Sequence, residues 1–150
     1  MTLRVVLDAN VYVSGIATLL FGTSAPPTIL RRWYAGAFDT VISPAILEEI
    51  RNALGKPYFQ DAAMQIRADE LLIDLEILAH TVHLDGSVSG IATHRHDDRI
   101  LETALKGDAD YLVTGDKELL AISHPYLFRI IHPNDFLRIL EGETEDSEDV

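Results

Sequence analysis

The short strand-like segments of this chain are mostly apolar, without a regular alternation of apolar and polar residues. Segments 3–7, 39–42 and 111–114 show this pattern, and a helical pattern follows each of them. A strand that is buried on both faces has this pattern, and strands that alternate with helices form parallel sheets covered on both sides. The sequence therefore predicts an α/β fold, namely a three-layer α/β/α sandwich around a central, mainly parallel sheet.

The remaining segments fit the same architecture. Weaker strand patterns cover 80–84 and 127–131, while residues 22–27 and 85–90 have the glycine, serine and proline content of loops. Ser43 and Pro44 are typical of a helix start. The spacing of apolar residues predicts helices over 10–20, 28–36, 43–54, 61–79 and 97–106, a short one after Asp116, and a last one from His132-Pro133-Asn134 to about Leu140.

Composition narrows the classes of protein and of site. The 150 residues suit a single domain, and the absence of cysteine excludes disulfides and thiolate metal sites. No apolar run is long enough to span a bilayer and the N-terminus lacks the apolar stretch of a signal peptide, so we expect a cytoplasmic protein without membrane contacts. We predict one folded domain over 1–140 and a disordered tail over 141–150.

The net charge of −12 constrains the partners of the protein. Six of the 24 acidic residues fall in the last ten positions, but the body remains acidic without them. An acidic body is a poor match for a protein that holds nucleic acid by phosphate neutralisation alone. It fits a protein that recruits divalent cations or pairs with a basic partner chain.

Two acids directly follow predicted strands. Asp8 comes after 3–7, and Asp116 comes after 111–114 and Gly115. In open parallel sheets the ligand site lies at the carboxyl ends of the strands, where both acids would fall. Each could instead be a helix N-cap, a position that favours aspartate.

Two further acids are selected by the helical wheel. At about 100° per residue, Glu49 borders the apolar stripe of its helix, whereas Glu48 points nearly opposite and suits a solvated face. Asp97 falls near the middle of the apolar face of the next long helix, and Asp98 lies a quarter-turn off it. A carboxylate on a core-facing line is costly unless it caps, is paired or binds a metal.

Taken together, Asp8, Glu49, Asp97 and Asp116 would converge on one edge of the sheet. Their charges repel and raise one another's pKa, which divalent cations can relieve. Mg²⁺ and Mn²⁺ prefer carboxylate oxygens and can promote the hydrolysis of a phosphodiester. The acids thus predict a metal-dependent site for phosphodiester cleavage.

The order and spacing of four segments resemble the PIN-domain family, over most of the chain from about Leu3 to Leu140. The segments are Val-Val-Leu-Asp-Ala-Asn-Val at 5–11, Ser-Pro-Ala-Ile-Leu-Glu-Glu-Ile at 43–50, Asp-Asp-Arg-Ile-Leu-Glu-Thr-Ala at 97–104 and Tyr-Leu-Val-Thr-Gly-Asp-Lys-Glu-Leu-Leu at 111–120. They are similar to those of the bacterial and archaeal PIN-family toxins of toxin–antitoxin pairs.

The resemblance implies an α/β/α sandwich and an endoribonuclease that depends on Mg²⁺ or Mn²⁺. It implies that Asp8, Glu49, Asp97 and Asp116 are the catalytic and metal-binding acids. It also implies that Asn10 and Thr114 support them, that an antitoxin chain binds the protein, and that the chain forms a homodimer. The family's usual pattern before the third acid is replaced here by His94-Arg95-His96, which leaves Asp98 as an alternative to Asp97.

Other side chains near these acids have two interpretations each. His94 and His96 could form a transition-metal site, although an exposed loop is the commoner setting. Arg95 and Arg99 could hold phosphates at the rim of the cleft or be surface residues without a role. For Trp33 and Tyr34, core packing is the favoured interpretation over a partner or dimer contact.

Three other functions compete with this one. A phosphatase of the haloacid-dehalogenase type needs a second aspartate two residues after the first, where this chain has Asn10. A response-regulator receiver normally has adjacent acids early in the chain, which the segment around Asp8 lacks, although Lys117 fits its lysine. A catalytically silent domain of the PIN fold that binds RNA or a protein would be expected to have lost some of the acids.

Overall fold

The computed structural model describes residues 2–123 and 126–142, which contain a central sheet of five parallel strands flanked by helices. The strand order is β3-β2-β1-β4-β5, and every neighbouring pair is parallel. The strands are β1 (Arg4–Leu7), β2 (Asp39–Ile42), β3 (His80–Thr81), β4 (Tyr111–Val113) and β5 (Arg129–Ile131). The α/β/α sandwich predicted from the sequence is confirmed, and the described part of the sheet is wholly parallel.

The helices of the described part are α1 (Ala9–Ala17), α2 (Ala25–Tyr34), α3 (Pro44–Leu54), α4 (Ala62–Leu78), α5 (Arg95–Lys106), α6 (Lys117–Leu120) and α7 (Pro133–Leu140), with a short 3-10 turn at Pro57–Phe59. Helix α5 packs against β1, β2 and β4, and α1 packs against α2, α3 and α4. Val5, Val6 and Leu7 of the central strand are fully buried. Burial on both faces explains why this strand is apolar throughout.

The largest departure from the predicted elements lies at the start of α2. The helix begins at Ala25, so the segment predicted as a loop over 22–27 is partly helical. Pro26 and Pro27 lie in its first turn. Proline is tolerated there because the first N–H groups of a helix have no partner within the helix.

Other boundaries shift by a few residues. Helix α1 ends at Ala17, three residues before the predicted end, and α5 begins at Arg95, two residues before the predicted start. The third strand is reduced to His80–Thr81, and the 3-10 turn was not predicted. The predicted tail falls mostly on 143–150, outside the described residues, so its disorder stays a prediction.

The strand order fixes where a ligand site would form. From β1 the chain moves outward through β2 to β3, and then crosses to the other side of β1 to form β4 and β5. The direction of winding therefore reverses between β1 and β4. In open α/β sheets, the crevice outside the carboxyl ends of the strands at this reversal is the usual ligand site. No described helix has the length and apolar character needed to cross a membrane.

Candidate active site

Asp8 lies at the carboxyl end of β1, next to this reversal. Its backbone N–H donates to the carbonyl oxygen of Val113 at 2.9 Å, which extends the pairing of β1 with β4. Asp8 is at the N-cap position of α1, but its side chain makes no capping hydrogen bond. The carboxylate is 4% exposed and accepts a hydrogen bond from the Thr114 hydroxyl. The capping alternative therefore does not describe how this side chain is used.

The hydroxyl of Thr114 connects Asp8 with the residues that follow β4. It donates to Oδ2 of Asp8 at 2.7 Å and accepts from the backbone N–H of Asp116 at 3.0 Å. Thr114 is fully buried, so these two bonds replace the water that the hydroxyl loses on folding. One side chain thus joins the carboxyl ends of the two strands that flank the reversal.

Asp116 is half-buried at the N-cap position of α6. Its Oδ1 accepts from the backbone N–H of Glu118 at 2.8 Å, so the capping alternative raised from the sequence does hold for this residue. A cap occupies one carboxylate oxygen, and a carboxylate has lone pairs to spare on both. Capping and a role in the site are therefore compatible here.

Glu49 lies in the middle of α3, half-buried, while its neighbour Glu48 is exposed. This agrees with the helical wheel, which placed Glu49 beside the apolar stripe. Oε2 of Glu49 is 2.8 Å from Nε2 of His96 in the first turn of α5. This pairing was not predictable from the sequence, because Glu49 and His96 are brought together only by the packing of α3 against α5.

Asp97 and Asp98 are both buried at the start of α5, but they have different surroundings. Oδ1 of Asp98 accepts from the backbone N–H groups of Ile91 and Ala92, and Oδ2 accepts from that of Gly90, at 2.7–3.1 Å. Both oxygens of Asp98 therefore hold the loop before α5. Asp97 makes no side-chain hydrogen bond in the described part of the chain, which favours it over Asp98 as the acid available to a ligand.

Burial and mutual repulsion raise the pKa of two of these acids. The pKa of Asp8 is raised from 3.8, mainly because the side chain is buried, although the Thr114 hydrogen bond opposes the shift. The charges of Glu49 and Asp116 raise it further. Burial likewise raises the pKa of Asp97, and the charge of Asp116 adds to this effect. The charges of Glu49 and Asp116 thus act on Asp8, and the charge of Asp116 also acts on Asp97.

These residues fit a hard divalent cation by the chemistry of their donors. All four are carboxylates, and a cation would relieve the repulsion that raises the pKa of Asp8 and Asp97. Within residues 2–123 and 126–142, however, no three acidic or imidazole side chains lie close enough together to form a ready ligand set. Glu49 is paired with His96 instead, so cation binding would require side chains such as this one to move.

The remaining predicted residues are exposed and differ in their contacts. Asn10 is exposed on α1 and makes no side-chain hydrogen bond to another described residue. Arg95 and Arg99 are exposed on α5, and Arg99 lines a small cavity together with Glu49 and His96. His94 is exposed, with Nε2 3.1 Å from Oε2 of Glu118. The described residues offer no transition-metal site at these histidines.

The two aromatic residues of α2 differ in setting. Trp33 is 4% exposed and packs edge-on against Tyr12, with 6.1 Å between ring centroids, so the core interpretation is confirmed for it. Tyr34 is 39% exposed, and its hydroxyl donates to Oδ2 of Asp74 at 2.7 Å. Tyr34 is therefore a surface residue tied to α4.

Sequence reasoning missed Glu102, one helical turn after Asp98. Glu102 is 1% exposed and accepts from the backbone N–H groups of Asp85, at 2.8 Å, and Val88, at 3.4 Å. With Asp98 it fixes the loop from 85 to 92 against α5. The spacing of these two acids by four residues, which puts them on one helix face, was the available signal.

Comparison with protein-family models gives a match to the family described as PIN domain, over residues 4–118. This span includes β1 to β4 and all four acids described above. A search of curated proteins gives no match.

Proposed function

The chain belongs to the PIN domain family, and on this premise we propose that it is a Mg²⁺- or Mn²⁺-dependent endoribonuclease acting through Asp8, Glu49, Asp97 and Asp116. PIN domains are generally nucleases that use divalent metals. Membership in the family therefore supports a hydrolase that acts on nucleic acid. The choice of RNA as the substrate and of these four acids as the site is our proposal.

One observation carries it. The Thr114 hydroxyl binds the Asp8 carboxylate and the Asp116 backbone at the point where the winding of the sheet reverses. A buried carboxylate that neither caps its helix nor pairs with a cation is costly to keep. Keeping one in a crevice of this kind is characteristic of a functional site rather than of a structural one.

Each residue has a task within the proposal. Asp8, Glu49, Asp97 and Asp116 would hold the cation. When bound, the cation would activate water and stabilise the charge that develops on the phosphodiester. Thr114 would hold the Asp8 carboxylate in place through its hydrogen bond, and Asn10, exposed two residues after Asp8, would support this acid. Arg95 and Arg99 would bind phosphates beside the site, which offsets part of the repulsion between RNA and an acidic protein.

We also propose that the protein is the toxin of a toxin–antitoxin pair, is a homodimer and acts in the cytoplasm. Exposed isoleucines on α4 support an interface with a protein partner: Ile66, Ile73 and Ile77 are 60%, 55% and 73% exposed and lie along one side of the helix. The molar mass in solution of the wild-type protein and of Ile73→Glu tests the dimer. Copurification with the product of a neighbouring gene tests the antitoxin.

The decisive experiment is cleavage of a mixed single-stranded RNA in Mn²⁺ or Mg²⁺. We expect Asp8→Asn to lower the rate by more than about a hundredfold, since even outer-shell partners of metal sites are worth about 10–100-fold. Asp39→Asn is the matched control, because Asp39 is exposed at the opposite end of β2. Full activity of Asp8→Asn, or of the wild type in excess EDTA, would contradict the proposal.

The second candidate is a catalytically silent PIN domain that binds RNA or a protein. The pairing of Glu49 with His96 favours it, because the pair leaves no ready set of three ligands in the part of the chain described. Binding of RNA by the wild-type protein, without cleavage at any Mn²⁺ concentration that raises its melting temperature, would select this candidate over the nuclease.

A further inference from the structure

A cavity of about 450 Å³ lies between the start of α3, the helix α5 and the loop from 83 to 89. Its volume is within the range of small-molecule sites, about 300–1,000 Å³. The loop that forms one wall is held by the buried carboxylate of Glu102, which accepts from the backbone N–H groups of Asp85 and Val88. Asp98 holds the continuation of the loop over 90–92 in the same way. The cavity is therefore shaped before any ligand arrives.

This cavity adjoins the proposed active site. A smaller cavity of about 250 Å³ is lined by Glu49 and His96, and it shares Ala45, Glu48 and Arg99 with the larger one. An RNA strand whose scissile phosphate lies at the four acids would therefore have this cavity within reach of a neighbouring nucleotide. The inference rests on the proposed function in this respect.

The lining of the larger cavity combines an apolar floor with charged side chains. Pro44, Ala45, Leu84 and Val88 supply apolar surface, and His83 supplies an exposed ring on which a base could stack. The side chains of Glu48, Arg95 and Arg99 make no ion pair or hydrogen bond to any other described residue. A flat heterocycle with hydrogen-bonding edges matches this combination of surfaces better than a simple anion, which Glu48 would repel.

The charges of the rim distinguish between the four bases. An ionised glutamate only accepts hydrogen bonds, and an arginine only donates them. Guanine presents two adjacent donors, N1–H and the N2 amine, on one edge and the acceptors O6 and N7 on another, which arginine binds in a bidentate way. Adenine and cytosine each place a ring-nitrogen acceptor beside their amine, and uracil has a carbonyl acceptor on each side of its N3–H. These acceptors would face the Glu48 carboxylate unfavourably.

We propose that this cavity is a guanine-binding subsite, in which Glu48 accepts from the N1–H and N2 amine of a guanine next to the scissile phosphate. In this arrangement only one of the two arginines assigned to phosphates above holds the adjoining phosphate. The other one, Arg95 or Arg99, donates instead to O6 and N7 of the guanine. Glu48 is then the residue that determines the base preference of the enzyme.

Nucleotide binding tests the subsite without relying on cleavage. The four ribonucleoside monophosphates are titrated into the metal-free protein in EDTA, with amide NMR shifts of residues 83–89 as the readout. We expect GMP to bind about ten- to a hundredfold more tightly than AMP, CMP or UMP, the range that one good bidentate contact supplies. Glu48→Gln should abolish this preference, and Glu76→Gln, at an exposed acid on α4, should retain it. Equal binding of all four nucleotides, or a preference that survives in Glu48→Gln, would overturn the proposal.

Cleavage of a randomised RNA pool in Mn²⁺ then separates the subsite from the proposed function. Enrichment of guanine at one position beside the cut, lost in Glu48→Gln, supports both. Cleavage by the wild type with no guanine enrichment overturns the subsite and leaves the nuclease. Selective GMP binding by a protein that cuts no RNA supports the subsite and refutes the nuclease.

Discussion

Replacing Thr114 by valine removes the hydroxyl that holds Asp8 while keeping the shape of the side chain. Two hydrogen bonds are lost. The bond to the Asp8 carboxylate contributes about 1.5–3 kcal/mol, and the bond from the Asp116 backbone N–H contributes about 0.5–1.5 kcal/mol. Thr114 and Asp8 are buried, so water does not replace the bond between them at once. We expect the free energy of unfolding to fall by about 2–4.5 kcal/mol near pH 8. The melting temperature should fall by about 4–18 °C, since 1 kcal/mol corresponds to about 2–4 °C in a chain of this size.

The drop in the free energy of unfolding caused by Thr114→Val should depend on pH, because it depends on the charge of Asp8. The pKa of Asp8 is raised above 3.8 in the folded protein, so folding binds its proton more tightly and this group stabilises the fold less as pH rises through the folded pKa. The Thr114 hydrogen bond lowers that pKa. Thr114→Val therefore raises it further, and the difference between variant and wild type should grow as pH rises. Urea unfolding at about pH 4 and about pH 8 measures this difference.

Thr103→Val is the matched control. Thr103 is also fully buried, but its hydroxyl is 2.7 Å from Ser43 Oγ and 2.7 Å from the Arg99 carbonyl oxygen, both uncharged. Removing the Thr103 hydroxyl should lower the free energy of unfolding by about 0.5–1.5 kcal/mol at either pH. An equal cost of Thr114→Val at both pH values, or a pH dependence as large in Thr103→Val, would refute the reasoning.

Three further predictions concern the metal, the loop and one glycine. Mn²⁺ should raise the melting temperature of the wild-type protein, because it relieves the repulsion among the carboxylates. The rise should be smaller in Asp8→Asn. An equal rise in both proteins would argue against Mn²⁺ binding at Asp8. Asp98→Asn exchanges an acceptor-only group for one that also donates, and it should speed the hydrogen exchange of the amides at 90–92 by more than about tenfold, since bonds to charged groups contribute about 1.5–3 kcal/mol. Unchanged exchange there would show that the carboxylate does not hold the loop. Gly107→Ala should lower the free energy of unfolding by about 1–3 kcal/mol, because the added Cβ would collide with Val41. Gly55→Ala is the control, because a Cβ at the end of α3 meets only ordinary contacts there, and this change should be nearly neutral. Denaturant unfolding of both variants measures the difference.

The sequence predicted the fold well because its strands carry one uniform signal. Segments such as Val5-Val6-Leu7 are apolar throughout, and burial on both faces is the reason. The helix over 44–54 was found from Pro44 and the apolar stripe, and its end at Leu54 agrees with the structure. The start of α2 was misjudged because prolines usually signal a loop, whereas in a first turn they are compatible with a helix.

The individual placement of the acids was predictable to a lesser degree. The helical wheel correctly predicted that Glu49 is more buried than Glu48, because exposure along a helix follows the helical period. The same wheel placed Asp98 a quarter-turn off the apolar face, which implies less burial than for Asp97, but the two residues are almost equally buried. The loop over 85–92 covers Asp98, and contacts between a helix and a distant loop leave no periodic trace in the sequence. The pairing of His96 with Glu49 was hidden for the same reason.

The bond between Thr114 and Asp8 also orders events during synthesis of the chain. The two residues are 106 positions apart, so Asp8 has left the ribosome long before its partner is translated. Until then β1 lacks its neighbour β4, and the Asp8 carboxylate lacks the hydroxyl that holds it. Contacts of such long sequence separation form late and slowly. The proposed site of a nascent chain can therefore form only after residues 114–116 have been made and have left the ribosome, among ribosomal and messenger RNA.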